Sequence, residues 1–382
     1  MPAANTEAQI TVLIAGTEYT DIKSYTLDSN ILTLVDTFEV QLANPDGVHS
    51  GAIQEGDPVA VYLADPTVNG GTRNLLLLGL VTAVDQVSDI SGGTNITVSG
   101  ADLGWHLVNN CGPLFKSLMG LTFQKFLDAV IDSSWGFQLP SRTDNDTNRR
   151  LNQGRAAIAP ARSAVDVFIP PVCFEAGQQI GDTLILYAQR AHQLVNVSSD
   201  GYLQIFTPRY DTPAAFTLHY HKASEPERRL NNVKPPIHVG SKIDGLYTHV
   251  TCVGTVAVPS VMPSRDNPHA GTFRGEWSDE TALPFARLLT FTDGDALTQA
   301  RAANRAQWKA NRGKFDSWIA EYTAIGHSLG GVLFAPDTMC GVNDSVHNVH
   351  GPFYVSARRF MRSNAGGTTT QLTLRKPGLL AA

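Results

Sequence analysis

Cysteine is scarce, with four in 382 residues. Cys111, Cys173, Cys252 and Cys340 lie far apart, and no pair has C-x-x-C spacing. That excludes a zinc knuckle or a dithiol motif and leaves buried, reduced thiols as the expectation. Long apolar runs are missing too. The most apolar stretch, residues 75–84, has the length of a buried strand rather than a membrane span, so no membrane anchoring is expected. The start has no basic region followed by an apolar one, so no signal peptide is expected. Charged residues make up 17% of the chain, with a net charge of −6. A generally nucleic-acid-binding surface is therefore not expected. P-loop, G-x-G-x-x-G, H-E-x-x-H and EF-hand patterns are all missing, and the sequence predicts no cofactor and no metal.

What is present organises around residues 78–110. They read as a strand, a turn at Gly92-Gly93, a second strand with Ile96 and Val98 alternating with Thr97, and a helix. Asp102 is placed to accept from the first free N–H groups of that helix, which carries Leu103, Trp105, His106 and Leu107. Near the other end, Phe353-Tyr354-Val355 begins a strand, Gly366-Gly367 turns it, and residues 370–374 return. The two G-G-T turns occupy the same place in two similar hairpins, which reads as an internal duplication. Before the first hairpin, residues 10–14, 25–27, 38–42 and 59–63 are strand-like, with a turn at Asn44-Pro45-Asp46-Gly47. Such a series predicts a closed or nearly closed antiparallel barrel.

The middle differs. Phe123, Phe126, Leu127, Val130 and Ile131 mark one face of a helix capped by Thr122. Residues 140–172 read as an irregular insertion. A second helix spans about 182–193, followed by a hairpin of 195–197 and 202–206. Strands return with 216–220 and 247–253. Residues 258–286 read as a Pro-rich loop, and a helix runs from Asp295 as N-cap to Gly313 as C′. Strands then resume at 318–322 and 331–334. The fold class expected is α+β: two similar antiparallel β-barrel domains, 1–105 and 211–382, flanking a small α/β domain, 106–210. The second barrel carries an inserted helix, 295–312.

Few motifs suggest chemistry. Gly326-His327-Ser328-Leu329-Gly330 matches the G-x-S-x-G nucleophile elbow, which needs a strand before the serine and a helix after it. The strand is expected at 318–324. After Gly330, however, comes Gly331, a short strand and Pro336. Asp337, Asp344, His347 and His350 all crowd into the next few residues, without intervening βα units. A glycine loop joining barrel strands is the expectation, and an esterase-like hydrolase using Ser328 is the alternative. His219 and His221 share a strand face but lack a third ligand. His347 and His350 lie in a polar loop. Arg301, Arg305, Lys309 and Arg312 form a basic stripe on the inserted helix, either a solvated face or an interface. Arg149, Arg150, Arg155 and Arg162 lie in the insertion. Asp293 and Asp295, and Glu225 and Glu227, fit capping or turn roles. No catalytic, cofactor-binding or metal residue is assigned.

The order of these elements resembles the Mu-like baseplate hub proteins of contractile phage tails. Phe38-Glu39-Val40 is similar to that family's FEL-type strand. Gly79-Leu80-Val81 through Val98-Ser99-Gly100-Ala101-Asp102-Leu103 is similar to its G-x-V…V-x-G-R-D segment, continuing to Leu107-Val108-Asn109. Residues 183–194 with Gly201-Tyr202-Leu203, the Ala/Arg-rich 299–312, and 326–342 also follow its pattern. Ala101 stands where the family usually has Arg, and 140–172 looks like an extra insertion. The resemblance covers nearly the whole chain and implies a structural, non-enzymatic homotrimer. The implied partners are a tail tube or tube-initiator protein, a central spike protein, baseplate wedge proteins and a tape measure protein. The implied place is the virion, after assembly in the host cytoplasm, with DNA passing through a channel without specific binding. Related domains open type VI secretion spike proteins, which continue into a spike. This sequence stops at Ala382, so a hub with a separate spike is expected.

Overall fold

Period-two patterning makes the N-terminal stretch a sheet. In β4 (Thr37–Ala43) the side chains of Phe38, Val40 and Leu42 are buried, while Thr37 and Glu39 face solvent. That is how a half-buried strand satisfies both faces. The computed structural model describes residues 8–44, 47, 49, 51–89, 93–110, 117–118, 172–173, 177–190, 193–201, 203–255, 272–294, 296, 298–363 and 366–378. By contacts, one compact unit comprises Met1–Ile237 with Glu321–Leu374, and a second comprises His238–Ala320 with Arg375–Ala382.

The first unit begins with β1 (Gln9–Ile14), β2 (Thr17–Tyr19) and β3 (Ile22–Asn30), followed by β4. Next come β5 (Pro58–Ala64), β6 (Arg73–Asp89) and β7 (Gly93–Asp102). β4 pairs antiparallel with β3 and with β7, where Val40 faces Val98. β6 and β7 pair antiparallel out to Asp89 opposite Gly93, with a register shift between Val81 and Ala83. Gly100 has no Cβ because the Phe38 ring occupies the space, 2.3 Å from where a Cβ would stand. A single helical turn, α1 (Trp105–Asn109), follows. β8 (Ser117–Leu118) and β9 (Val172–Cys173) pair antiparallel. α2 (Ile180–Arg190) buries Ile180, Leu184 and Ala188 on one face. It leads into the hairpin of β10 (Leu194–Val197) and β11 (Leu203–Phe206). The expected helix around 123–131, residues 140–171 of the expected insertion with its arginines, and the glycine at 92 lie outside the described residues.

β12 (Thr217–Tyr220) and β13 (Val233–Ser241) lead to the second unit. There β14 (His249–Thr255) pairs antiparallel with β15 (Thr272–Ser278) and parallel with β16 (Leu288–Asp293). β15 corrects the expectation of a Pro-rich loop over 258–286 for residues 272–278, while 258–271 lie outside the described residues. Phe273 and Trp277 alternate with Arg274 and Glu276, enough for a strand once a neighbour pairs with it. α3 (Gln299–Ser317) covers this sheet, burying Ala302, Ala306 and Ala310 with Val250 and Cys252. Small residues let the two backbones approach closely. A Cβ on Gly275 would stand 1.9 Å from the Ala303 nitrogen. The expected helix limits of 295–312 are also corrected. The Thr298 side chain caps the helix by accepting from the Arg301 N–H, and Asp295 lies outside the described residues. Gly313 is inside the helix, because its Cα faces the Gly245 carbonyl, where a Cβ would stand 1.9 Å from oxygen.

The chain then forms β17 (Trp318–Ile325), β18 (Ser328–Leu329), β19 (Val332–Leu333), β20 (Thr338–Asp344), β21 (Val349–Ser363) and β22 (Gly367–Arg375). The large sheet runs β13-β17-β22-β21-β3-β4-β7-β6-β5-β1-β2, with β20 on β21 and β12 parallel to β20. Two five-strand series share one order: β3-β4-β7-β6-β5, and β13-β17-β22-β21-β20. The hairpins β6-β7 and β21-β22 hold the same two places in each, with Gly93 and Gly367 opening the returning strands. The sixth strand differs, since β1 is antiparallel to β5. The path stays open, so among the described residues no closed barrel forms. Instead β21 joins the two series, pairing antiparallel with β20 through 349–355 and with β3 through 357–362. The chain is mostly β, with three α-helices among the described residues.

Candidate functional site

Ser328 opens a tight hairpin, facing Leu333 across β18 and β19. Gly330 and Gly331, at φ of 61° and 80°, make its two-residue turn, a conformation that glycine reaches without steric cost. No helix follows the serine. Its hydroxyl donates to Asp65 Oδ2 at 2.6 Å and lies 2.8 Å from Thr67 Oγ1. Burial raises the Asp65 pKa, but hydrogen bonds from Ser328 and Thr67 outweigh it and hold the carboxyl below its usual range. A carboxylate of low basicity is a poor general base.

The neighbouring His327 turns inward. Its Nε2 lies 2.7 Å from the Tyr25 hydroxyl and its Nδ1 2.9 Å from Thr370 Oγ1. Thr370 donates its own proton to the Gly326 carbonyl at 2.6 Å. It must therefore accept from Nδ1–H, which leaves Nε2 to accept from Tyr25. Burial, and the Arg358 charge after it, hold the imidazole neutral, with its pKa lowered to about 3. Both ring nitrogens are committed, and neither reaches Ser328. If the structural role is right, Ser328→Ala will leave hydrolysis of a short-chain nitrophenyl ester at the buffer rate for both proteins. A serine-dependent rate well above buffer would restore the hydrolase reading.

The most developed polar constellation lies where β21 meets β3. Arg359, opposite Asp28 across the strands, forms an ion pair with it. On the inner side Arg358 is buried, donates from Nη1 to the Phe334 carbonyl at 2.7 Å, and lies 4.4 Å over the Phe360 ring. Burial lowers its pKa to about 10, against the pull of Asp36. Asp36 is raised to about 6 by burial, despite a hydrogen bond from Ser29 and the Arg358 charge. Asp102 is raised by burial and by Asp36. Asp102 accepts from Gly104 N at 2.9 Å and from Asp36 N at 3.0 Å. It thus holds Gly104, the residue before α1, rather than the first N–H groups of the helix as expected, and ties that residue to the loop before β4. A groove of about 510 Å³ beside the joint is lined by Asp28, Asn30, Thr37, Glu321, Arg359 and Gln371.

The remaining candidates resolve singly. Within the second unit the basic stripe divides: Arg305 is paired with Asp293 at 3.0 Å and Arg312 with Asp316 at 2.7 Å. Arg301 and Lys309 are exposed. His219 and His221 stack at 5.8 Å, and among the described residues no group of three or more potential ligands gathers around a metal position. His347 Nδ1 lies 2.7 Å from the buried Asp344, to which Tyr322 also donates. His350 meets Asn343. Cys252 and Cys340 are free and buried, and burial raises both thiols, Cys252 to about 11. Among the described residues no helix is long and apolar enough to cross a membrane.

Residues 316–379 match the family model described as a tail protein, C-terminal domain. The tail protein from Neisseria meningitidis MC58 superposes with a TM-score of 0.74 at 19% identity, over 98% of both chains. The 43 kDa tail protein of prophage MuSo2 from Shewanella oneidensis gives 0.71 at 18%, over 97% of this chain and 99% of that one. The E. coli c3393 protein, a type VI secretion component with structural similarity to T4 tail proteins gp27 and gp5, gives 0.53 at 9%, over 97% and 80%. No curated protein matches the chain. The chain thus has the fold of phage tail proteins, as the Mu-like resemblance implied, and shares it with a type VI component.

Proposed function

We propose that this chain is a structural, non-enzymatic hub of a phage baseplate. Three copies act as a symmetry adaptor, joining a hexameric tail tube to a trimeric central spike around the DNA channel. The observation that supports this most is the repeated strand order inside a tail-protein fold. One chain offers two alike sheets, so three copies offer six alike surfaces to the tube while keeping threefold symmetry for the spike. A rigid interface needs such matching, because each repeated patch must meet an equivalent partner. By this reading 1–105 and 211–382 are the two tube-like domains and 106–210 the connecting domain. The contact units cut differently because β21 hydrogen-bonds to β3 as well as to β20. Wedge proteins, a tube or tube-initiator protein, the spike and a tape measure protein are the neighbours proposed in the virion, with assembly in the host cytoplasm. A net charge of −6 suits a channel wall that repels phosphate rather than binding it.

Light scattering on the purified protein should give about three times the chain mass of 41.2 kDa. Electron micrographs should show a ring that is threefold on one face and near-sixfold on the other. A clean monomer at high concentration would sink the hub.

A further inference from the structure

The repeat leaves one half-strand without the partner that its counterpart has. Aligned on the two G-G-T turns, the far half of β6, residues 83–88, takes the place of 357–362 in β21. In β21 that half is covered: its outer edge hydrogen-bonds to β3, with Arg359 opposite Asp28 and Phe360 opposite Leu27. Its Arg358 and Phe360 are buried. In β6 the partner β5 stops at Leu80. Beyond it Ala83, Asp85, Gln86, Val87 and Ser88 are exposed, Val87 by 60%. Among the described residues no strand pairs with that edge. At the other end of the path lies β13, the counterpart of β3, with β17 as its single strand neighbour among the described residues.

We propose that these two edges meet between copies: residues 83–88 of β6 add to residues 237–241 of β13 in a second copy of this chain. The contact repeats between subunits the pairing that β21 makes with β3 inside one. An exposed, long edge strand is a liability that proteins cover, and main-chain addition of a strand is a common way to cover it. The segment of β13 begins after Pro235-Pro236, whose rings carry no N–H to donate. Charge changes sign across the repeat on one side of the contact: Asp85 stands where β21 has Arg359. Because the two edges are different surfaces, the contact is head-to-tail, the kind that closes into a ring when the rotation between copies closes and otherwise runs on as a filament. The inference rests on the trimeric reading above and names its interface.

Directly opposed residues in an antiparallel pair lie about 4.5–5.5 Å apart at Cα, within disulfide reach. Val87→Cys is combined in turn with Ile237→Cys, Val239→Cys and Ser241→Cys, and each product is oxidised and run without reductant. At least one pair should give a covalent ladder ending at three chains, and neither wild type, with its four native cysteines, nor the parents with one added cysteine should. Amide exchange on unaltered protein checks the same edge: amides in 83–88 should exchange slowly in the assembled sample and faster on dilution. A trimer by light scattering with no ladder from any pair and no such protection overturns the strand pairing and leaves the hub standing. A monomer overturns both.

Discussion

His327→Gln and Asp36→Asn will tilt the pH dependence of stability in opposite directions. His327 has a folded pKa of about 3, below its unfolded value near 6.5. Its contribution is complete above about pH 6.5 and is lost as pH falls towards the folded value. Asp36 is the reverse: a folded pKa of about 6 against an unfolded value near 3.9. Its contribution is complete below the unfolded value and is lost as pH rises through the folded one. Between about pH 7 and pH 4 each is worth about 2–3 kcal/mol, because every tenfold difference in proton affinity between the folded and unfolded chain contributes about 1.4 kcal/mol. Relative to wild type, His327→Gln should therefore gain on acidification, starting from a deficit near neutrality because the Tyr25 and Thr370 bonds are cut. Asp36→Asn should lose over the same range, having matched or exceeded wild type at pH 7. Urea midpoints of the three proteins at several pH values give the slopes. Curves that stay parallel to wild type would mean that neither group titrates differently on folding.

Arg358→Met should be the most damaging single change at the joint. It strips the Phe334 carbonyl of its donor and leaves Asp36 without the buried cation. Removing one partner of a buried charge cluster typically costs about 3–5 kcal/mol. Adding Asp36→Asn should restore part of the loss, because a neutral amide needs no counter-charge; coupling of this kind is what a double-mutant cycle measures. Arg358→Met within about 1 kcal/mol of wild type would show that the guanidinium is incidental to the joint.

Local features were legible in the sequence wherever one element sufficed to express them. Alternation in 38–42 marked β4, Gly93 and Gly367 marked where the returning strand of each hairpin begins, and Leu184 with Ala188 marked the inner face of α2. The i, i+4 spacing of Arg301, Arg305 and Lys309 placed them on one helix, although it could not show that Asp293 neutralises the middle one. β15 was hidden because Gly275 interrupts it; that glycine is explained only by the helix lying on it. The helix start was read three residues early because Asp295 and Thr298 are both good caps. The polar joint was the least legible. Asp102 looked like a simple helix cap and His327 like a spacer in a serine motif. What buries them is strand pairing between residues hundreds of positions apart, for which no local pattern exists.

That pairing also sets a schedule for synthesis. Asp28 and Arg359 are 331 residues apart. At ribosomal speeds of roughly 5–20 residues per second, β3 emerges on the order of half a minute before the strand that covers its outer edge. During that interval the nascent sheet can close through β4, but its other flank faces the crowded cell as a bare template for stray strands. The composition of β3 suits the delay: Lys23, Ser24, Thr26, Asp28, Ser29 and Asn30 make an edge poorly matched to apolar intruders. Asp28 thus has two successive duties, keeping foreign strands off while the chain is growing and then receiving Arg359 when it arrives.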